Sequence, residues 1–191
     1  MSDSSTPSAA ERLLDTASRL FYTRGVSNVG INEIIARAGV ARMTLYHHFP
    51  SKDALIKAVL EHRLSERNAW LDRSAGHDAD PEGQILAVFD LFIEWASSPD
   101  FRGDPLVTAT YELGGQLNVA RSFAQAHHAV FRQKFEDLAV QADLDDPKGI
   151  AQQLHMLVLG ASVATLIEGN AEAAALAKNA AASLIVGAKL G

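Results

Sequence analysis

Apolar residues recur at intervals of three and four along most of the chain, and sustained alternation of apolar and polar residues is almost absent. The first spacing is that of an amphipathic helix and the second that of a strand. The clearest apolar face is formed by Ala10, Leu13, Leu14, Ala17, Leu20 and Phe21. The pattern predicts a first helix closed by Gly25, followed by helices over residues 31–38, 42–49 and from 52 into the early 70s.

Capping residues indicate where several helices begin and end. Ser8 is followed three residues later by Glu11, which is the capping-box pattern, and Gly39 suits the left-handed conformation of a helix exit. Aspartate before proline, which caps a first helical turn, occurs at Asp80, Asp104 and Asp146. Five further helices are predicted over residues 81–97, 105–113, 119–142, 147–168 and 171–190. We therefore expect an all-α protein of about nine helices.

Composition excludes several classes of protein. The 191 residues are 48% hydrophobic and include no cysteine, so a disulfide framework, a thiolate zinc site and a cysteine nucleophile are ruled out. We find no phosphate loop, nucleophile elbow or H-E-x-x-H pattern, and we predict neither an enzyme nor a cofactor. The N-terminus is polar, and the apolar run over 156–167 is too short to span a bilayer. A soluble cytoplasmic protein without a membrane partner is expected.

Charge is unevenly distributed along the chain. The net charge is −6, but residues 1–67 carry +2 and the remainder −8. Such asymmetry suggests that the two parts have separate roles. An excess of +2 is small, however, and charge alone does not identify a nucleic-acid binder.

The second and third predicted helices have the lengths of a helix-turn-helix and are joined through AGVA, which contains Gly39. In that motif the second helix enters the major groove. Leu45 and Phe49 take its core face, and the outer face keeps side chains that suit bases and phosphates. Lys52, at the start of the next helix, suits a phosphate. The candidate DNA-contacting residues are Arg42, Met43, Thr44, Tyr46, His47, Lys52 and Gly30.

The adjacent pair His47 and His48 raises the alternative of a metal site. Neighbouring residues on a helix point about 100° apart, so the two rings cannot easily share one ion, and a third ligand is missing. The same objection applies to His127 and His128. No metal site is predicted.

The stretch GVARMTLYHHFPSKDAL, residues 39–55, resembles the helix-turn-helix signature of the tetracycline-repressor (TetR) family of bacterial transcriptional regulators. The preceding helices also resemble that family, and the match covers about the first third of the chain. Two positions depart from it. Gly30 and Ala41 stand where the family often has Ser or Thr as a helix cap, and such a cap is typically worth about 1 kcal/mol over Ala and less over Gly.

The resemblance implies a domain organisation. We expect a helix-turn-helix DNA-binding domain over 1–50, a connecting helix over 51–75 and a helical effector-binding and dimerisation domain over 76–191, with the junction at GHDADPEG, residues 76–83. The second domain would enclose an apolar pocket for a small-molecule effector. The candidate lining residues are Phe89, Phe92, Trp95, Tyr111, Phe123, His127 and His155. These aromatic residues also suit a plain hydrophobic core.

The last two predicted helices are apolar on more than one face, so one stripe is available for a partner. The candidate dimer-interface residues are Leu154, Val158, Ala161, Thr165, Leu176, Ala180 and Leu184. We predict a homodimeric repressor that binds a near-palindromic operator in double-stranded DNA and is released by a small, largely apolar effector, with the fourth helix as the lever. Two alternatives stay open: a DNA-binding regulator without an effector, and a helical interaction protein of the same fold.

Overall fold

A computed structural model describes residues 7–74, 80–113 and 118–189. The described residues form helices only, which confirms the all-α prediction. The helices are α1 (Ala9–Arg24), α2 (Ile31–Ala38), α3 (Arg42–His48), α4 (Lys52–Ser74), α5 (Pro81–Ala96), α6 (Pro105–Leu113), α7 (Asn118–Gln141), α8 (Pro147–Glu168) and α9 (Glu172–Gly187). The predicted elements are all present, and their ends differ by a few residues. The predicted junction falls partly outside the described residues, as does the predicted end of the last helix at residue 190.

Most of the predicted caps are present. The Ser8 hydroxyl accepts from the Glu11 amide at 3.2 Å, and the Glu11 carboxylate accepts from the Ser8 amide at 2.7 Å. Asp80 caps α5 and Asp146 caps α8, each followed by proline in the first turn. Asp104 directly precedes Pro105 at the start of α6, as predicted, and is buried with its Oδ2 against His127; its capping of α6 stays a prediction.

The chain divides into two compact units, which we describe separately. The first comprises residues 1–64 and 105–123, and the second comprises residues 65–104 and 124–191. This division differs from the domain boundaries expected from the sequence, because α6 belongs with the N-terminal helices. Leu106 and Ala109 of α6 are buried, and Glu112 accepts from the Ser27 amide at 3.3 Å in the loop before α2.

In the first unit, buried apolar residues and two side-chain hydrogen bonds hold α2, α3 and the loop between α1 and α2 in place. Leu13 and Ala17 of α1 and Leu45 of α3 are fully buried. Arg12 Nε donates to the carbonyl of Ala38 at 3.3 Å, which fixes the end of α2 against α1. The loop between α1 and α2 is held by Lys52, whose ammonium donates to a backbone carbonyl there.

In the second unit, the predicted apolar face of α5 is buried: Ile85, Val88, Phe89 and Phe92 are all fully covered. Phe89 stacks on Phe135 of α7, with ring centroids 6.0 Å apart. Helix α8 is long and apolar enough to cross a membrane by length and composition alone, within the described ranges. Eight of its residues are buried, which is the pattern of a core helix in a soluble protein.

Candidate DNA-binding surface and effector cavity

The turn between α2 and α3 has the backbone that the sequence predicted. Gly39 has φ 64° and ψ 41°, in the left-handed region, and its amide donates to the carbonyl of Ile35. A side chain at this position would meet no atom within 4 Å, so glycine is favoured by conformation rather than by space. Leu45 is fully buried and anchors α3, which leaves the rest of this short helix at the surface.

The outer face of α3 carries the residues predicted to contact DNA. Arg42 and His47 are exposed, Met43 is 78% and Tyr46 37% exposed, and Thr44 is half-buried. This exposure agrees with a role in DNA contact, and the contact itself stays a prediction. The face presents guanidinium, phenol and imidazole groups, which can donate to base edges and phosphates.

Arg42 is oriented by two neighbours. Its Cζ lies 5.8 Å from the centre of the Tyr46 ring, and its Nη1 lies 3.5 Å from Oδ1 of Asn32, at the long limit of a hydrogen bond. Asn32 is exposed in the first turn of α2 and was missed in the sequence analysis. The arrangement holds the guanidinium on the surface made by both helices of the motif.

Lys52 has a structural contact that the sequence analysis did not foresee. Its Nζ donates to the carbonyl of Val26 at 2.9 Å, and the side chain is half-buried. An ammonium group carries three donors, so phosphate contact by Lys52 stays a prediction. The bond nevertheless gives this residue a positioning role at the start of α4.

The two helix starts that depart from the family pattern have no side-chain cap. Gly30 before α2 and Ala41 before α3 both have extended backbone and make no side-chain hydrogen bond. Gly30 is exposed, and a side chain there would meet nothing within 4 Å. Its assignment to the DNA-facing set also stays a prediction.

A cavity in the second unit brings together four of the seven predicted effector-contacting residues. Phe92, Trp95, His127 and His155 line it, with Phe131 between the two histidine rings. The surrounding space between atoms is about 290 Å³, and the free volume of about 10 Å³ holds roughly one water molecule. The free volume of the cavity is therefore small.

Polar groups of this cavity are buried. His127 is 2% exposed, and its Nε2 lies 3.3 Å from Oδ2 of Asp104. Nδ1 of His127 and Nε2 of His128 are buried and have no hydrogen-bond partner among the described residues. Buried polar atoms are nearly always hydrogen-bonded in proteins, and either a water molecule or a ligand atom can satisfy these two nitrogens.

Burial keeps two of the cavity histidines neutral at neutral pH. It lowers the pKa of His155 to about 4, helped by the nearby His128 and Arg132. Burial also lowers the pKa of His128, although the carboxylate of Asp104 acts in the opposite direction. A charged imidazole loses its hydration in such a site, which disfavours the protonated form.

Three of the predicted lining residues do not lie at this cavity. Phe89 is fully buried in the core against Phe135. Tyr111 belongs to the first unit and is 82% exposed, and Phe123 also belongs to the first unit and is half-buried. Assigning these three to one pocket was wrong, because helical spacing does not distinguish a cavity wall from core or surface.

The sequence analysis also missed part of the lining. Arg67 of α4 is 9% exposed and packs over two indole rings, with its Cζ 4.6 Å from the Trp70 centroid and 4.2 Å from that of Trp95. Arg67 precedes Trp70 by one helical turn, and Phe131 follows His127 by one turn. This spacing could have placed both residues beside the aromatic residues on the sequence alone. The other missed lining residues are Asp104, His128, Val158, Leu159 and Ser162.

The dimer-interface prediction is wrong for the residues of α8. Leu154, Val158, Ala161 and Thr165 are between 0% and 6% exposed, because they form the face that α8 turns toward its own core. The exposed apolar residues of α8 are Met156, Val163, Leu166 and Ile167. On α9, Leu176 is 61% exposed and Ala180 is exposed, whereas Leu184 is half-buried.

A helix-turn-helix with an anchored, outward-facing second helix, followed by a helical second unit, defines the class of a DNA-binding transcription regulator. Residues 13–59 match the family model described as bacterial regulatory proteins, tetR family. The crystal structure of SCO4454, a TetR-family transcriptional regulator from Streptomyces coelicolor, superposes with a TM-score of 0.87 at 31% identity, covering 94% of this chain and 95% of that one. The chain therefore belongs to the TetR family, whose members are regulators and not enzymes.

Two further relatives agree with this assignment. The crystal structure of a putative TetR transcriptional regulator (SAV143) from Streptomyces avermitilis superposes with a TM-score of 0.83 at 30% identity, covering 96% of this chain and 99% of that one. The uncharacterised helix-turn-helix regulator Rv1255c of Mycobacterium tuberculosis is 48% identical over 59 residues, which is 31% of this chain and 29% of that protein. The chain thus aligns with less than a third of that curated relative.

Proposed function

We propose that the protein is a homodimeric repressor that binds a near-palindromic operator and is released by a small, largely apolar effector. The observation that carries the proposal is the outer face of α3. Arg42, Met43, Tyr46 and His47 are exposed there while Leu45 is fully buried. A short helix anchored by one side chain and otherwise exposed is suited to enter a groove of DNA.

Each recognition helix would occupy one major-groove half-site. Arg42 is the candidate for bidentate contact with guanine, and Tyr46 and Thr44 suit phosphate or a thymine methyl group. Arg24 and Arg37 are both paired with Glu33, at 2.5 and 3.0 Å, so part of their charge is compensated within the motif. Arg42 is therefore a stronger candidate than either for direct readout.

Dimerisation is supported by exposed apolar side chains on α8 and α9. Ile167 is 78%, Met156 67% and Val163 53% exposed on α8, and Leu176 is 61% and Val186 60% exposed on α9. Several large apolar side chains exposed on two helices favour a protein partner. A two-fold axis would place α8 and α9 of both protomers in a four-helix interface.

The second unit's cavity is the proposed effector site. An effector changes DNA binding only if it binds one arrangement of the dimer more tightly than another. Helix α4 carries Lys52 in the first unit and Arg67, at the cavity, in the second. We therefore retain α4 as the element through which ligand binding would act on DNA affinity.

The proposal is tested by fluorescence anisotropy with labelled promoter fragments from the protein's own gene neighbourhood and with shuffled fragments of equal length. Specific binding should exceed non-specific binding and should fall steeply with salt, because phosphate contacts release counterions. Sedimentation of the free protein at micromolar concentration should give a dimer. Equal affinity for both kinds of DNA would favour the interaction-protein alternative, and specific binding that no candidate compound changes would favour a regulator without an effector.

A further inference from the structure

We infer that the cavity of the second unit recognises an uncharged, flat aromatic molecule carrying a hydroxyl group, which donates a hydrogen bond to His127. The inference rests on the proposed function, because it names the chemical class of the effector. It is drawn from two buried ring nitrogens, the aromatic walls around them and the charge of the lining.

The contact with Asp104 fixes which nitrogen of His127 offers a lone pair. Nε2 lies 3.3 Å from the carboxylate oxygen of Asp104. A carboxylate only accepts hydrogen bonds, so Nε2 carries the proton in the neutral ring and Nδ1 becomes the acceptor. Nδ1 is buried and has no partner within the described ranges. A ligand that satisfies His127 must therefore donate.

His128 supplies the second unsatisfied nitrogen. Its Nε2 is buried without a hydrogen-bond partner among the described residues, and its ring meets His155 edge to face at 4.8 Å. The ring centroids of His127 and His128 are 5.8 Å apart. A hydroxyl both donates and accepts, so it suits a cavity in which two ring nitrogens lack a partner, and its proton can go to Nδ1 of His127.

The walls of the cavity favour a flat, apolar body for the rest of the ligand. Phe92, Trp95 and Phe131 line it, and Phe131 meets the His127 ring edge to face at 4.8 Å and 78°. Aromatic pairs prefer such edge-to-face and offset arrangements, which a bound ring can extend. Trp95 is only half-buried, so its side chain has room to turn aside when the small cavity admits a ring.

The charge of the lining favours an uncharged ligand. Arg67 and Asp104 contribute one charge of each sign, and both are less than one-tenth exposed. Burial keeps His128 and His155 neutral by lowering the pKa of each. With one charge of each sign the lining has no net charge, so an anionic ligand would leave one buried negative charge in excess, which is disfavoured.

The test uses the full-length protein at pH 8 and single-ring probes. Phenol carries the hydroxyl, anisole blocks its proton with a methyl group, and benzoate replaces it with a charge. Binding is measured by NMR titration, and long-range proton–nitrogen spectra report the ring nitrogens directly. We expect phenol to bind at least fivefold more tightly than anisole or benzoate, since an unsatisfied buried acceptor costs about 1–3 kcal/mol. The His127 spectrum should show the Nε2–H form, and its Nδ1 signal should move with phenol.

Two variants and one control complete the experiment. His127→Phe keeps an aromatic ring but loses the acceptor, so the preference for phenol over anisole should fall to about onefold, and His128→Phe should reduce it in part. His62→Phe, in the part of α4 that belongs to the first unit and outside both the cavity lining and the predicted DNA-contacting set, should leave the preference unchanged. Equal binding of phenol and anisole to the wild type, or an unmoved Nδ1 signal, would overturn the inference and leave a buried water as the partner of these nitrogens. The wild-type spectra decide this even if a variant fails to fold.

Anisotropy with promoter DNA in the same samples separates this inference from the proposed function. If phenol is preferred but DNA affinity stays constant, the ligand inference stands and the effector role fails. If other compounds release DNA while phenol is not preferred, the inference fails and the proposed function stands.

Discussion

Helices α3 and α8 differ in how clearly their sequences indicate which face is buried. On α3 only Leu45 is fully buried, and the other side chains are polar except for Met43, so the sequence indicates a single buried face. On α8 apolar residues occur on both faces: Val158 is 5% exposed and Val163 is 53% exposed. Periodicity identifies the faces of a helix, but it does not say which of two apolar faces the protomer buries.

The physical reason lies in what each helix has to cover. A surface helix with one apolar stripe must turn that stripe toward the core, because no other side can be removed from water. A helix that meets both its own core and a partner protomer is apolar on two sides, and the hydrophobic effect has no direction of its own. The α8 residues assigned to the dimer were therefore the core residues of the same helix.

The largest effect should come from placing one charge on each face of α8. Val158→Asp buries an unpaired carboxylate in the core and should destabilise the second unit by more than about 4 kcal/mol. Val163→Asp alters an exposed residue and should leave the free energy of unfolding within about 0.5 kcal/mol for the monomer, while shifting the protein from dimer to monomer. Urea unfolding and sedimentation measure both outcomes.

Each variant is the control for the other, because both replace a valine of α8 by aspartate. A dimeric Val163→Asp protein would show that this exposed face is not the interface. A folded Val158→Asp protein would show that the assignment of inner and outer faces is mistaken.

The same contrast explains how much of the molecule the sequence predicted. The helices and the recognition surface followed from local signals: spacing, Gly39 and the caps at Ser8, Asp80 and Asp146. The cavity depends on residues far apart in sequence, and only four of its lining residues were predicted. Asp104 was predicted as a helix cap and not as a neighbour of His127, and Arg67 belongs to a helix that was expected to act as a lever and not to line the cavity.

Burial of His155 in the second unit should make the free energy of unfolding depend on pH. Burial lowers the pKa of His155 from its ordinary value of 6.5 to about 4, so the unfolded chain binds the extra proton between these pH values. The stability that neutral His155 contributes is complete above pH 6.5 and is lost as the pH falls toward 4, by at most roughly 3.5 kcal/mol at about 1.4 kcal/mol per pKa unit. Urea unfolding between pH 7.5 and 4 should show this decline, and His155→Leu should flatten it.

The neighbouring groups modify this pH dependence. His128 acts in the same direction, because its pKa is also lowered, and the positive charge of Arg132 adds to the effect while Asp104 opposes it. His47→Leu, which changes an exposed histidine of the first unit, is the matched control and should keep the wild-type slope. A His155→Leu protein whose stability falls as steeply as the wild type would contradict the assignment.

In the first unit, a smaller effect is expected, on DNA binding rather than on folding. Arg42→Ala should weaken specific binding by about 1–3 kcal/mol and relax the choice of one base pair, if the guanidinium reads a guanine. Arg121→Ala removes the same charge from an exposed position of α7, outside the helix-turn-helix, and should leave specificity unchanged. Anisotropy with operator variants measures both. Unchanged discrimination in Arg42→Ala would leave the residue with a phosphate contact at most.

The smallest effect concerns the uncapped start of α3. Ala41 has φ −75° and ψ 151°, the extended backbone of a capping residue, but no side-chain acceptor for the first-turn amides. Ala41→Ser should supply that acceptor and raise the free energy of unfolding of the first unit by roughly 0.5–1 kcal/mol in urea titrations. Ala36→Ser, at an exposed position inside α2, is the control and should be neutral or slightly destabilising, because serine is a poorer helix former than alanine. If Ala41→Ser does not raise the free energy of unfolding relative to Ala36→Ser, water already satisfies the amides at the start of α3. The departure from the family pattern at this position would then carry no stability cost.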